Sequence, residues 1–222
     1  MKLFQFAYSP YAAKVRKCLE LKGLGFEVVE VPYLDRREVA RLTGGIIMTP
    51  ILADGDQVVC DSPRITEYLD QRYAPSLRPP PLGAAAAVFE SWSDSVLEDV
   101  AFRLASPACE KRIAALNGGR EDARAMYRFV KERKFGAGCI DAWDQSAPEL
   151  RARLFTLLAP LVRTLEAQPF LLGARPTLAD AAVWGNLHML EWATPGWIAA
   201  NVPELLPWYA RVGAARSVDA AA

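Results

Sequence analysis

The chain opens on a short apolar run, Lys2 to Phe6, whose two aromatics suit a buried strand, and a turn follows at once. From Tyr11 to Lys22 the apolar positions Val15, Cys18, Leu19 and Leu21 fall on one helical stripe, while Lys14, Arg16, Lys17 and Glu20 cover the other side. Gly23 and Gly25 end that helix. Val28, Val29 and Val31 mark a second strand over Phe26 to Val31, bounded by Pro32. Strand, helix and strand in close succession make a βαβ unit, which predicts a parallel pair.

A short amphipathic helix over Leu34 to Leu42 is closed by Gly44 and Gly45. Pro50-Ile51-Leu52 and Gln57-Val58-Val59-Cys60 then flank the turn Asp54-Gly55-Asp56, the signature of a β-hairpin. Helical spacing returns from Ser62 to Arg72 through Ile65, Tyr68 and Leu69. The order is therefore β-α-β-α-β-β-α. Ala74 to Gly83 carries Pro75, Pro79, Pro80 and Pro81, and reads as a stiff, extended connection. Beyond it no strand pattern appears. Apolar residues keep helical spacing through roughly 84–105, 121–134, 149–168, 178–193 and 203–213, punctuated by Pro107, Gly118-Gly119, Gly136 to Gly138, Pro169 and Pro195. The expectation is an α/β domain over residues 1–75, a proline-rich linker over 76–83 and an all-helical domain over 84–222, with Ala220 to Ala222 a frayed end.

The 222 residues are ample for a proper core, and 52% hydrophobic against 23% charged is the balance of a globular protein rather than a disordered one. Lys plus Arg number 26 and Asp plus Glu number 26, so no overall field draws nucleic acid or an anionic membrane, and neither is expected as a partner. The apolar start is too short for the core of a signal peptide, and Asp180 and Glu191 bracket the best candidate for a membrane helix, so the chain reads as cytoplasmic. Cys18, Cys60, Cys109 and Cys139 lie far apart with no Cys-x-x-Cys pair, which suits buried free thiols in a reducing compartment. His188 is the only histidine, so a Ser-His-Asp triad is improbable and a multi-histidine metal site impossible; no metal is expected.

Candidate chemistry begins where the first strand hands over to the first helix, at Tyr8-Ser9-Pro10-Tyr11-Ala12-Ala13-Lys14-Val15-Arg16. Ser9 suits the N-cap and Pro10 the first helical position, where its missing amide hydrogen costs nothing. One reading stops there. The other notes that the free amides and partial positive charge of a helix N-terminus stabilise an anion beside the Ser9 hydroxyl.

Ser-Pro-aromatic, two variable residues and Lys-Val-Arg resembles the active-site turn of serine-type glutathione transferases, including the plant tau class. The β-α-β-α-β-β-α order resembles their thioredoxin-like domain. The resemblance implies that the hydroxyl of Ser9 hydrogen-bonds the sulfur of glutathione and favours its thiolate. Lowering a thiol pKa by ~2 units requires ~2.7 kcal/mol. One hydrogen bond to a charged group supplies ~1.5–3 kcal/mol and the helix end ~0.3–1, so the two suffice together. Tyrosine-type members use a phenol nearby, which ranks Tyr8 second; Tyr11 is packing or pocket wall. Cysteine-type members place their nucleophile in this turn, but here Cys18 sits on the apolar stripe, which disfavours mixed-disulfide chemistry.

The same resemblance implies that Thr49-Pro50 has a cis bond, the Thr49 backbone pairing with the cysteinyl part of glutathione like an added strand. Most members carry valine where this chain has Thr49. Asp61-Ser62 matches the acid and serine that hold the γ-glutamyl end, and Ser62 with Pro63 also reads as an N-cap and first turn. Arg64 is either a cation near the ligand or a solvated surface residue. Thr177-Leu178-Ala179-Asp180 resembles the N-capping box of the family's core helix, led in by Pro169-Phe170-Leu171-Leu172-Gly173, so the resemblance spans both halves of the chain. Lys134 to Cys139 either lines the acceptor site or turns the chain. Trp92, Trp143, Trp184, Trp192, Trp197 and Trp208 read mostly as core, with one or two facing the cleft.

What the resemblance implies is a glutathione S-transferase joining glutathione to an apolar electrophile, and a homodimer. Two other uses of the fold stay open: binding or protein interaction without turnover, and glutathione-dependent isomerisation or reduction.

Overall fold

A computed structural model describes residues 1–218, so the expectation for Ala220 to Ala222 lies outside the described residues. The first half contains β1 (Lys2–Gln5), α1 (Pro10–Leu21), β2 (Glu27–Glu30), α2 (Arg37–Thr43), β3 (Ile51–Asp54), β4 (Gln57–Cys60) and α3 (Ser62–Arg72), in the order the periodicity implies. The sheet runs β2-β1-β3-β4, with β1 and β2 parallel and β3 antiparallel to both β1 and β4. This is the thioredoxin-like arrangement. Side chains alternate across β1. Leu3 joins Val15, Leu19, Leu52 and Ile65 under α1 and α3, whereas Phe4 and Phe6 enter the larger core shared with the helical half.

That half contains α4 (Gly83–Trp92), α5 (Glu98–Leu116), α6 (Glu121–Phe135), α7 (Cys139–Gln145), α8 (Ala147–Ala167), α9 (Leu178–Ala193), α10 (Trp197–Asn201) and α11 (Leu206–Ala214). No helix of the described residues is long and apolar enough to cross a membrane. The expected helix over 84–105 is instead α4 and α5 joined by a π-helical turn, Ser93–Leu97. Such a turn inserts a residue and re-aims the side chains around it. Here Ser93 accepts from the Asn186 amide at 2.9 Å, and Asp94 reaches Lys14. Pro107, expected to end a helix, lies inside α5. Its ring removes one intrahelical bond, but Ala105, Ser106 and Cys109 are buried around it, and packing holds the helix through the defect. The short α7 and α10 carried too few apolar positions to show a period.

The centre of the fold is the contact of α1 with α9. It corrects the reading of α1, whose polar side does not face water: Lys14 and Lys17 are each 1% exposed. Lys14 pairs with Glu90 at 3.1 Å and Asp94 at 2.5 Å, and Glu90 also receives Arg78 at 2.9 Å. Lys17 bonds to Glu20 and donates to the Gly213 carbonyl at 2.9 Å, beneath the Trp184 ring. Arg16 meets His188 at 3.1 Å, and His188 meets the Tyr209 hydroxyl at 3.1 Å.

At the start of α9, Thr177 and Asp180 form the expected capping box. Asp180 is buried, and its carboxylate accepts from the backbone amides of Leu171 and Thr177, each at 2.9 Å, and from the Trp208 indole at 2.9 Å. The cysteines are unpaired; Cys18, Cys109 and Cys139 are buried as expected, but Cys60 is only half-buried. Burial pushes the Cys18 and Cys109 thiols up to about 12, which leaves both protonated and inert at neutral pH.

Candidate active site

Ser9 is the N-cap of α1, with extended backbone and Pro10 at the first helical position. Its Oγ accepts the Ala12 amide at 3.3 Å, the capping role, while the hydroxyl hydrogen is not consumed by that bond. The side chain is nearly buried and lines a cavity of about 120 Å³ together with Tyr8, Tyr11 and Thr49. A second cavity, of about 240 Å³, is lined by Tyr11, Thr49, Pro50, Asp61, Ser62 and Asp94. Tyr11 and Thr49 border both. The fold therefore brings Tyr8, Ser9, Tyr11, Thr49, Pro50, Asp61 and Ser62 to two adjoining cavities.

The Thr49-Pro50 bond is cis. The Thr49 hydroxyl is buried without a hydrogen-bond partner among the described residues, a polar atom left over at the rim shared by the two cavities. Asp61 rather than Ser62 takes the N-cap position of α3, with Ser62 at the first helical position, and Asp61 makes no side-chain cap bond. The reading of Ser62 as cap residue is thus off by one, because Asp61 turns the chain. At φ 78° it is the only non-glycine residue with positive φ among those described. Strain of that kind costs on the order of 1–3 kcal/mol and concentrates where a site needs it. It leaves the Asp61 carboxylate exposed beside Ser62.

Tyr8 sits deeper. Its ring stacks on Phe6 at 5.7 Å and meets Tyr33, Tyr127 and Trp192 at 6.3, 5.9 and 5.7 Å. Burial, and then the neighbouring Tyr33, raise its phenol well above the ordinary range. Tyr11 is half-buried at the cavity wall, its hydroxyl 3.4 Å from the Asp94 carbonyl oxygen. Arg64 is exposed and borders a different groove, between α2 and α3.

Several cleft residues were not anticipated from the sequence. Arg36 at the start of α2, Glu98 and Phe102 of α5, and Lys131 of α6 also line the smaller cavity. Burial raises the Glu98 carboxyl to about 7 and lowers the Lys131 ammonium to about 8. No local motif flags them, since each is one charge or one apolar residue among many of its kind along the chain. The two readings of the segment from Lys134 to Cys139 divide between its residues. Lys134 and Phe135 end α6 and line the cavity, while Gly136 and Gly138, with φ 97° and 71°, turn the chain into α7. Trp192 packs behind Tyr8, and Trp143, Trp184, Trp197 and Trp208 are core.

Comparison with known proteins agrees with this fold. Residues 3–79 match the glutathione S-transferase N-terminal domain and residues 144–211 the glutathione S-transferase C-terminal domain. The chain is similar to glutathione S-transferase 3 of Zea mays, 28% identical over 222 residues, covering 96% of this chain and 89% of that protein. Among solved structures it resembles glutathione transferase GSTFuA3 of Phanerochaete chrysosporium, with a TM-score of 0.79 at 20% identity, covering 98% of each chain. It also resembles a glutathione S-transferase of Ceriporiopsis subvermispora in complex with glutathione, with a TM-score of 0.75 at 16% identity, covering 96% of this chain and 94% of that one. From its thioredoxin-like sheet to the capped helix α9, the chain belongs to the glutathione S-transferase family.

Proposed function

We propose that this protein is a glutathione transferase that binds glutathione along the cleft, favours its thiolate at Ser9 and presents that sulfur to an electrophile with a largely apolar body. The observation that carries this reading is the convergence of Ser9, Thr49, Asp61 and Ser62 on two adjoining cavities that meet at Thr49. The donors suit the tripeptide. Asp61 offers a carboxylate to the γ-glutamyl ammonium, and Ser62 with the first amides of α3 offers donors to the neighbouring carboxylate. The Thr49 backbone would pair with the extended cysteinyl part of glutathione, a reading supported by the cis bond to Pro50 and by the Thr49 hydroxyl, buried without a partner among the described residues.

Glutathione supplies the nucleophilic sulfur; the protein supplies a hydroxyl hydrogen, the Tyr11 amide at the start of α1 and a partly dry wall. Ser9 is the donor best placed for that role, because its oxygen is anchored by the Ala12 amide and its hydrogen remains free to turn outward. Tyr8 serves that role less well, since its phenol is held in an aromatic cluster. Cytoplasmic placement and a homodimer complete the proposal. The exposed Ile46, Ile47 and Met48, beside a groove of about 610 Å³ between α2, β4 and α3, support pairing through the sheet domain.

The test is the ionisation of bound thiol. Glutathione titrated on the protein, followed by thiolate absorbance, should show a pKa ~2 units below the ~8.5 of an ordinary thiol. Retention on immobilised glutathione with conjugation of an electrophile supports the enzyme. An unshifted thiol in a protein that does bind glutathione overturns thiolate activation and favours the fold's use for binding alone.

A further inference from the structure

Buried lysines in this protein stand against carboxylates. Lys14 faces Glu90 and Asp94 at 3.1 and 2.5 Å, Lys22 faces Asp70 at 2.8 Å, and Lys17 is bonded to Glu20. Lys131, half-buried at the cavity wall, breaks the pattern. Its Nζ lies 4.8 Å from the ring centres of both Phe102 and Tyr127 and 5.8 Å from that of Tyr8. It makes no hydrogen bond or ion pair to any described residue. A cation over an aromatic face gains ~0.5–2 kcal/mol, which offsets only part of the hydration the ammonium gives up at the cavity wall, so the rings hold it without fully compensating it.

The charges around it leave the deficit open. Lys134 follows one turn later on α6, Arg36 approaches from the start of α2, and Glu98 and the protonated Cys109 face it from α5. The cavity wall therefore carries Arg36, Lys131 and Lys134 against one carboxyl, Glu98, which burial leaves only part ionised at neutral pH. Phe6, Phe102 and Phe135 supply flat apolar surface between these cations. The wall formed by α5 and α6 is thus cationic and aromatic at once.

We propose that the acceptor taken by this site is an aromatic or similarly flat electrophile that bears a carboxylate, and that Lys131 is the specificity-determining contact for that carboxylate. The inference rests on the glutathione-transferase reading above and refines its acceptor. The carboxylate belongs to the acceptor rather than to glutathione because of where Lys131 sits. Asp61, Ser62 and Pro50 line the larger cavity, whereas Lys131 lines only the smaller one, together with Ser9. An acceptor reaching the sulfur at Ser9 must lie against Phe102 and Phe135, with Lys131 beside it.

The test uses the full chain and two ligands that differ only in the charge: S-benzylglutathione and S-(para-carboxybenzyl)glutathione, measured by titration calorimetry. The carboxylate ligand should bind about tenfold more tightly, a difference of ~1.4 kcal/mol. Lys131→Met should bring the two ligands to within about twofold by weakening the carboxylate ligand alone, and Lys131→Arg should keep the preference. Lys131→Met removes an uncompensated charge, so its melting temperature should hold or rise, which separates a lost contact from a lost fold. Equal affinities in the parent protein, or a preference that survives Lys131→Met, overturn the inference while leaving the transferase reading in place. Equal weakening of both ligands by Lys131→Met assigns the cation to glutathione itself and overturns it too. Failure of glutathione and of both ligands to bind the parent protein removes the transferase reading, and the inference with it.

Discussion

Gly185 in the middle of α9 lies so close to Pro10 at the start of α1 that a Cβ on Gly185 would stand 2.5 Å from the Pro10 carbonyl oxygen and 3.0 Å from the Lys14 amide nitrogen. Both are backbone atoms and cannot swing aside. The glycine is therefore required by close approach, not by a turn, and it couples the helical core to the residue that follows Ser9.

Gly185→Ala should consequently act at a distance. Overpacking of this kind costs about 1–3 kcal/mol, and the relief available is a shift of α1, which moves the Ser9 turn. The expected result is a lower melting temperature together with weaker glutathione binding, read by calorimetry and ligand titration on the same sample. A variant that matches the parent protein in both would show that α1 and α9 are less closely engaged than described.

Ser9→Ala separates the two roles of the hydroxyl. Loss of the cap should cost ~1 kcal/mol of stability. Loss of a hydrogen bond to a thiolate, worth ~1.5–3 kcal/mol, should lower kcat/KM at neutral pH by roughly 10- to 150-fold and raise the pKa of the bound thiol. Tyr8→Phe should lower kcat/KM less than Ser9→Ala does. The reverse ranking, measured side by side with the same acceptor, would move the sulfur contact to the phenol.

His188 offers a clean pH probe, because it is the only histidine. Burial, with Arg16 and Lys17 adding to it, lowers the imidazole to about 4 in the folded protein. Its pKa is thus depressed below the unfolded value of ~6.5, and the unfolded chain binds more protons between those two values. Stability from this group is complete above the unfolded pKa and falls as the solution is acidified toward about 4. The proton NMR signal of His188 should keep its neutral position at pH 5.5, and His188→Gln should flatten the acid limb of the stability curve. An imidazole that titrates near its ordinary value would mean the Arg16 and Tyr209 contacts are open in solution.

Much of the first domain was legible because its signals are local. The glycines after α1, the Asp54-Gly55-Asp56 turn and the proline after Ser9 each act within a few residues of themselves, as does the Thr177 to Asp180 box in the helical half. Pattern alone can register such effects. Ser9, Asp61 and Ser62 could be named for the same reason, as each sits where a strand gives way to a helix, whereas Thr49 was named through the resemblance to the transferases. The resemblance to the transferases added what they do together.

Other features depended on which surfaces meet. Lys14 and Lys17 look like a solvated helix face until α9 closes over them, and Pro107 looks like a helix end until its neighbours are buried on α5. Arg36, Glu98 and Lys131 are ordinary surface charges by spacing, yet folding sets them around one small cavity with Ser9. Most of the element order, the turns and the capping box of α9 follow from the conformational preferences of neighbouring residues, and so could be read without the fold. Which charges lose their water, and which of those find a partner, depends on how the distant helices pack. Burial is a property of surfaces brought together from distant parts of the chain, and no local period encodes it.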